Sequence, residues 1–145
     1  MMKQSYFYIG INVLLSSLFI SAPLHASNEV LSVDRGSLQG MEFMFENDAK
    51  ITPKNSNFTV VNSVLMSSEA GTRVAVVTIR NDATGSRILQ AEHIMALFAD
   101  GKRLSPIGLS DNLKLEDGEQ RSITISFGAD DFPILAIYTS NNLNH

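Results

Sequence analysis

The sequence predicts an all-β protein, a single antiparallel β-sandwich of about seven strands behind a cleaved export signal. Three observations predict it. Runs rich in valine, isoleucine, threonine and phenylalanine alternate with a period of two, as at Ile123, Ile125 and Phe127 against Ser122, Thr124 and Ser126. Turn-forming clusters punctuate the chain roughly every 8 to 15 residues. No strand-helix-strand alternation of the kind that builds parallel sheets is present in the pattern.

The leader comes first. Lys3 precedes a polar-poor run over 6–20, then Pro23 and the small residue Ala26, with no acid before Glu29. A short positive region, an apolar region and a small residue at the cut make up a secretory signal peptide over 1–26, cleaved after Ala26. Cutting after Ala22 would put Pro23 just beyond the scissile bond. An uncleaved anchor is the competing reading, with an apolar stretch at the lower limit of about 17 residues for a spanning helix. The chain has 145 residues and no cysteine, which excludes a lipidated cysteine at the cut, a disulfide and a thiolate metal site. The mature protein is therefore expected free in the periplasm or secreted, held together by its core alone.

The net charge is −4, and loss of Lys3 with the leader makes it more negative. Nucleic acid and anionic membrane surfaces are excluded as favoured partners, because phosphates would be repelled.

Residues 27–40 read as a polar N-terminal arm, tied down as an edge strand at Val30, Leu31 and Val33. The domain proper is expected over 41–139. Met41, Phe43 and Phe45 share one face of a half-buried strand over 41–46. Over 58–66, Phe58, Val60, Val64 and Met66 fall on one face and Val61 and Leu65 on the other. Thr72-Arg-Val-Ala-Val-Val-Thr-Ile-Arg80 carries apolar residues on both faces and reads as an inner strand, in a hairpin with the preceding one. Residues 87–99 fit a strand broken near Glu92 and His93, and also a helix with Ile88, Ala91, Met95 and Phe98 in a stripe. Asp100-Gly101 directly after favours the strand, being a tight-hairpin signal. Pro106 confines its surroundings to an edge. Leu113 and Leu115 flank Lys114, the turn Glu116-Asp-Gly-Glu119 follows, and strands over 122–127 and 132–139 complete the domain. Residues 140–145 are expected to be a flexible tail.

Val74-Ala-Val-Val-Thr-Ile-Arg-Asn81, Asp100-Gly-Lys-Arg-Leu104, Leu115-Glu-Asp-Gly-Glu119 and Ile123-Thr-Ile-Ser-Phe127, in that order, resemble small secreted bacterial immunoglobulin-like β-sandwich domains and the similar ApaG-like sandwiches. The resemblance covers about 58–138 and rests on fold-shaping turns. It implies an accessory, interaction or stress-related envelope module. The glycine-rich phosphate-contacting loop of ApaG-like proteins has no counterpart, nor do the buried Trp and cysteine pair of antibody domains.

No catalytic constellation assembles. Ser110-Asp111-Asn112 lacks the Ser-x-x-Lys and Lys-Thr-Gly that accompany it in penicillin-recognising enzymes. His93, beside Glu92, is the one histidine inside the domain, and a lone histidine reads first as structural. Acidic groups at Asp111, at Glu116, Asp117 and Glu119, and at Asp130 and Asp131 offer carboxylates to a shared calcium ion if their loops meet at one end, though none has the spacing of a dedicated calcium loop. The plainer reading is solvated turns. Phe43, Phe45, Phe58, Phe98, Phe127, Phe132 and Tyr138 mostly take core-facing positions by alternation. The expected function is a non-enzymatic exported module that binds a protein partner in the cell envelope through an edge strand, such as 41–46 or the arm, or through its loops. The alternative is a calcium-, carbohydrate- or small-ligand-binding module using the acidic loops. No catalytic, cofactor or metal residue is assigned.

Overall fold

The computed structural model of the protein describes residues 29–34, 43–46, 51–110 and 113–144. The leader, Met41, Glu42, Asp111 and Asn112 lie outside them. The chain is all-β, built from antiparallel sheets. Its strands are β1 (Ser32–Val33), β2 (Phe58–Ser67), β3 (Thr72–Asn81), β4 (Arg87–Leu89), β5 (Met95–Phe98), β6 (Arg103–Leu104), β7 (Leu113–Leu115), β8 (Gln120–Ala129) and β9 (Ile134–Tyr138). They form a four-stranded sheet in the order β1-β2-β3-β8, a β4-β7 pair and a three-stranded sheet in the order β6-β5-β9. Among the described residues there are thus nine strands against about seven expected, and the surplus comes from two-residue pieces.

One core draws on all three sheets. Phe58, Ala75, Val77, Ile79, Ile125 and Phe127 come from the four-stranded sheet, and Leu89, Ala96, Phe98, Leu115, Ile134 and Ile137 from the others. The clean alternation of β8 therefore puts Ile125 and Phe127 where the pattern predicts. Strand β3 lies inside, paired with β2 on one side and β8 on the other. Its terminal Asn81 is fully buried, and its side-chain amide donates to the carbonyl oxygens of Gly85 (2.9 Å) and Glu116 (3.0 Å). That amide joins the turn after β3 to the end of β7.

Residues 87–99 are the broken strand: β4, a 3₁₀ turn at Ala91–His93, then β5. The Asp100-Gly101 hairpin follows, with Gly101 at φ +84°. A Cβ at Gly101 would lie 2.8 Å from Phe45 Cδ1, so glycine is required both by the turn and by the ring packed on it.

Four expectations need correction. A β-bulge between Val60 and Asn62 inserts one residue into β2 and inverts the alternation beyond it. Leu65 therefore packs against the core, while Val64 shares the outer face with Val76. The strand expected over 41–46 is absent at its described residues, Phe43 to Glu46. The last strand begins at Ile134, leaving Phe132 exposed on a loop. Finally, the expected flexible tail opens with a short helix, α1 (Ser140–Leu143), whose first residue is buried.

Candidate functional site

The pairing pattern decides which backbone groups of the four-stranded sheet face outward, and its two edges differ. In an antiparallel strand both polar groups of one residue point to the same side, and the side alternates along the chain. Asp34 N–H donates to Leu65 O (2.9 Å) and Ser32 Oγ to Ser67 O (3.1 Å), so the odd residues of β2 beyond the bulge face out, toward β1. Before the bulge the outward residues are Phe58 and Val60. Asn142 of α1 meets Val60 with both halves of its amide: Val60 N–H donates to Asn142 Oδ1 (3.0 Å), and Asn142 Nδ2 donates to Val60 O (3.0 Å). Thr139 Oγ1 donates to Phe58 O. A side chain here stands in for a neighbouring strand.

At the other edge, Asn81 N–H donates to Glu119 O (3.0 Å), which turns the odd residues of β8 toward β3. Gln120, Ser122 and Thr124 then present their N–H and C=O groups outward. Beyond them, Ile107 N–H donates to Ser126 O (2.8 Å) in a single isolated bridge. Among the described residues no strand pairs with β8 on that side. The open stretch carries no proline and no lysine, two residues with which proteins commonly blunt an edge.

His93 Nδ1 accepts from the Gln90 N–H (3.1 Å), closing the 3₁₀ turn, and its ring lies 5.7 Å from that of Phe58. Burial holds its pKa below the ordinary histidine value, the Lys54 ammonium adds to this, and Glu92 opposes it. Glu92 itself pairs with Lys54.

The acidic turns do not converge. Glu116, Asp117 and Glu119 precede β8 and Asp130 and Asp131 follow it, so ten residues of extended strand, about 30 Å, separate the two groups. Glu116 pairs with Lys114 (2.8 Å) and Glu119 with Arg121. Among the described residues no three His, Asp or Glu side chains gather as a metal site would require. Asp130 and Asp131 do line a cleft of about 290 Å³, together with Ala70, Gly71, Lys102, Ala129 and Phe132. Of the aromatic residues, Phe58, Phe98 and Phe127 are buried, whereas Phe132 is exposed. No helix among the described residues is long and apolar enough to cross a membrane.

Two features escaped the sequence reading. The guard at Val60 has a signal in Thr139-x-x-Asn142, the spacing of a helix-capping box. The open edge of β8 has none, because identifying an edge requires knowing which strands pair. No protein-family model matches the chain, and no curated protein or solved structure matches it either.

Proposed function

We propose that the protein is an exported, non-enzymatic immunoglobulin-like sandwich that binds a protein partner in the bacterial cell envelope by adding an extended segment of that partner to the outer edge of β8. The observation that carries this reading is the contrast between the two edges of one sheet, one guarded at Phe58, Val60, Leu65 and Ser67 and the other open at Gln120, Ser122 and Thr124. An added strand would satisfy those backbone groups through main-chain hydrogen bonds, and its alternate side chains would supply specificity. The core face of β8 is already packed, so the edge is rigid before the partner arrives, which lowers the ordering cost of binding.

The test is site-specific photocrosslinking in the native envelope, with the photoreactive residue on the outer face at Ser122 of β8 or at Val64 of β2. One saturable adduct from position 122, absent from position 64 and lost in a second variant carrying Thr124→Pro, supports the reading. Equal adducts from both edges, or a partner retained after Thr124→Pro, would overturn it.

A further inference from the structure

The cleft lies where three loops meet: the turn between β2 and β3, the hairpin between β5 and β6, and the loop between β8 and β9. It lies past the Ile107 bridge, apart from the open stretch of β8. Its walls are fixed from within. Arg73, only 9% exposed, donates from Nε (3.0 Å) and Nη2 (2.8 Å) to Asp130 O, and from Nη2 to Asp131 O (3.2 Å). Asp130 N–H donates to Gly71 O (3.0 Å), and Phe132 N–H donates to Asp130 Oδ1 (3.0 Å). Gly71, at φ +89°, lets the two loops close, since a Cβ there would stand 3.3 Å from Asp130 O.

The charges of this loop cluster are unevenly committed. Lys102 Nζ bonds Asp130 Oδ2 (2.7 Å), lies 3.3 Å from Asp100 Oδ2 and sits over the Phe98 ring at 5.8 Å. The Asp130 bond outweighs the opposing effect of burial and raises the Lys102 pKa above the ordinary lysine value, and the same bond lowers that of Asp130. Arg73 spends its bonds on main-chain carbonyls. Both cations are thus already paired within the protein, Arg73 with main-chain carbonyls and Lys102 with Asp130 and Asp100. Among the described residues the Asp131 carboxylate has no partner, and Phe132, 46% exposed, lines the same cleft.

We infer that this cleft binds a lysine or arginine side chain of a polypeptide, with the cationic head on Asp131 and the alkyl stem or cation against Phe132. A carboxylate gives a charge-assisted hydrogen bond to ammonium or guanidinium, an aromatic ring attracts the same cations through its face, and the long apolar stem suits a ring edge. The small residues Ala70, Gly71 and Ala129 leave the room.

The probes are Nα-acetyl-lysine methylamide and its arginine counterpart, titrated into the ¹⁵N-labelled protein, with the norleucine analogue as the uncharged control. Saturable shifts at Gly71, Lys102 and Asp130 to Phe132 with the two cations, and none with norleucine, are expected. Asp131→Asn should weaken binding at least about tenfold and Phe132→Ala about threefold, with added salt weakening the wild-type protein toward the Asn variant. Both positions are exposed, so an unchanged spectrum away from the cleft establishes that each variant is folded. Absence of shifts at these residues, equal shifts with norleucine, or an affinity unaffected by Asp131→Asn would each overturn the assignment.

Discussion

The two edges of the four-stranded sheet obey the same chemistry and are treated in opposite ways. On β2, outward groups at Phe58, Val60, Leu65 and Ser67 meet Thr139, Asn142, Asp34 and Ser32, partners drawn from both ends of the chain. On β8, the outward groups of Gln120, Ser122 and Thr124 face outward without a neighbouring strand. A sheet edge is a template for any extended segment, so guarding most of one edge and leaving the other open makes β8 the more receptive edge of this sheet. The contrast teaches that edge protection here is shared: the side chains of Thr139 and Asn142 guard β2 before the bulge, and the short strand β1 with the Asp34 N–H guards it beyond.

The largest test of that contrast concerns what holds the open strand. Bounded by one neighbour only, β8 depends on its core face, and Phe127, whose ring meets Phe98 edge-on at 6.4 Å, is its anchor. Phe127→Ala should cost about 3 to 5 kcal/mol in denaturant unfolding. A loss under about 1 kcal/mol would mean that β8 is not seated on the core. Proline probes the two sides of the same strand. Ile123→Pro removes a donor directed at β3 and should destabilise by roughly 3 kcal/mol, whereas Ser122→Pro removes an outward backbone donor and an exposed hydroxyl contact to Thr78, and should cost about 1 kcal/mol while abolishing partner capture. Similar losses at both positions would break the assignment of the outward groups.

On the guarded side, Asn142→Ala orphans the Val60 N–H and C=O and should cost about 1 to 3 kcal/mol, with concentration-dependent self-association visible in sedimentation. A monomer of unchanged stability would show that the amide is dispensable. The smallest effect is that of pH. Glu29 fastens the arm beside β1, and its hydrogen bonds from Ser68 and then Thr72 lower its pKa below 4.5. A depressed carboxylate pKa gives stabilisation that is present above pH 4.5 and is lost as pH falls through the lower folded value. Amide protection at Asp34 should therefore fall in that acid window while that of Val77, in the centre of β3, persists. Simultaneous loss at both sites would deny the arm any independence.

Much of the fold was legible because β3 and β8 announce themselves. Ala75, Val77 and Ile79 on one, and Ile125 and Phe127 on the other, are buried as their alternation requires. The break at Glu92 and His93 was legible too, since helix-forming residues interrupt a β-prone run just before Asp100-Gly101. The flip at Val60 was not, because a bulge adds a residue without changing composition, and the alternation is then read one step out of phase. Phe132 misled for a related reason: an aromatic residue before Pro133 looks like the start of a strand, yet Phe132 N–H is turned onto Asp130 Oδ1 and the ring stays outside. Of the cleft, the sequence offered Asp130 and Asp131 as acids but not their unequal fates, which depend on Lys102 reaching Asp130 alone from the hairpin between β5 and β6.

The closure of Val60 by Asn142 spans 82 residues of sequence, and synthesis runs from the amino end. Strand β2 is therefore complete long before its guard exists, and until then its edge at Val60 stays as receptive as that of β8. Until the final residues emerge, the growing polypeptide is at its most adhesive, and a truncation that stops short of Asn142 leaves it so permanently.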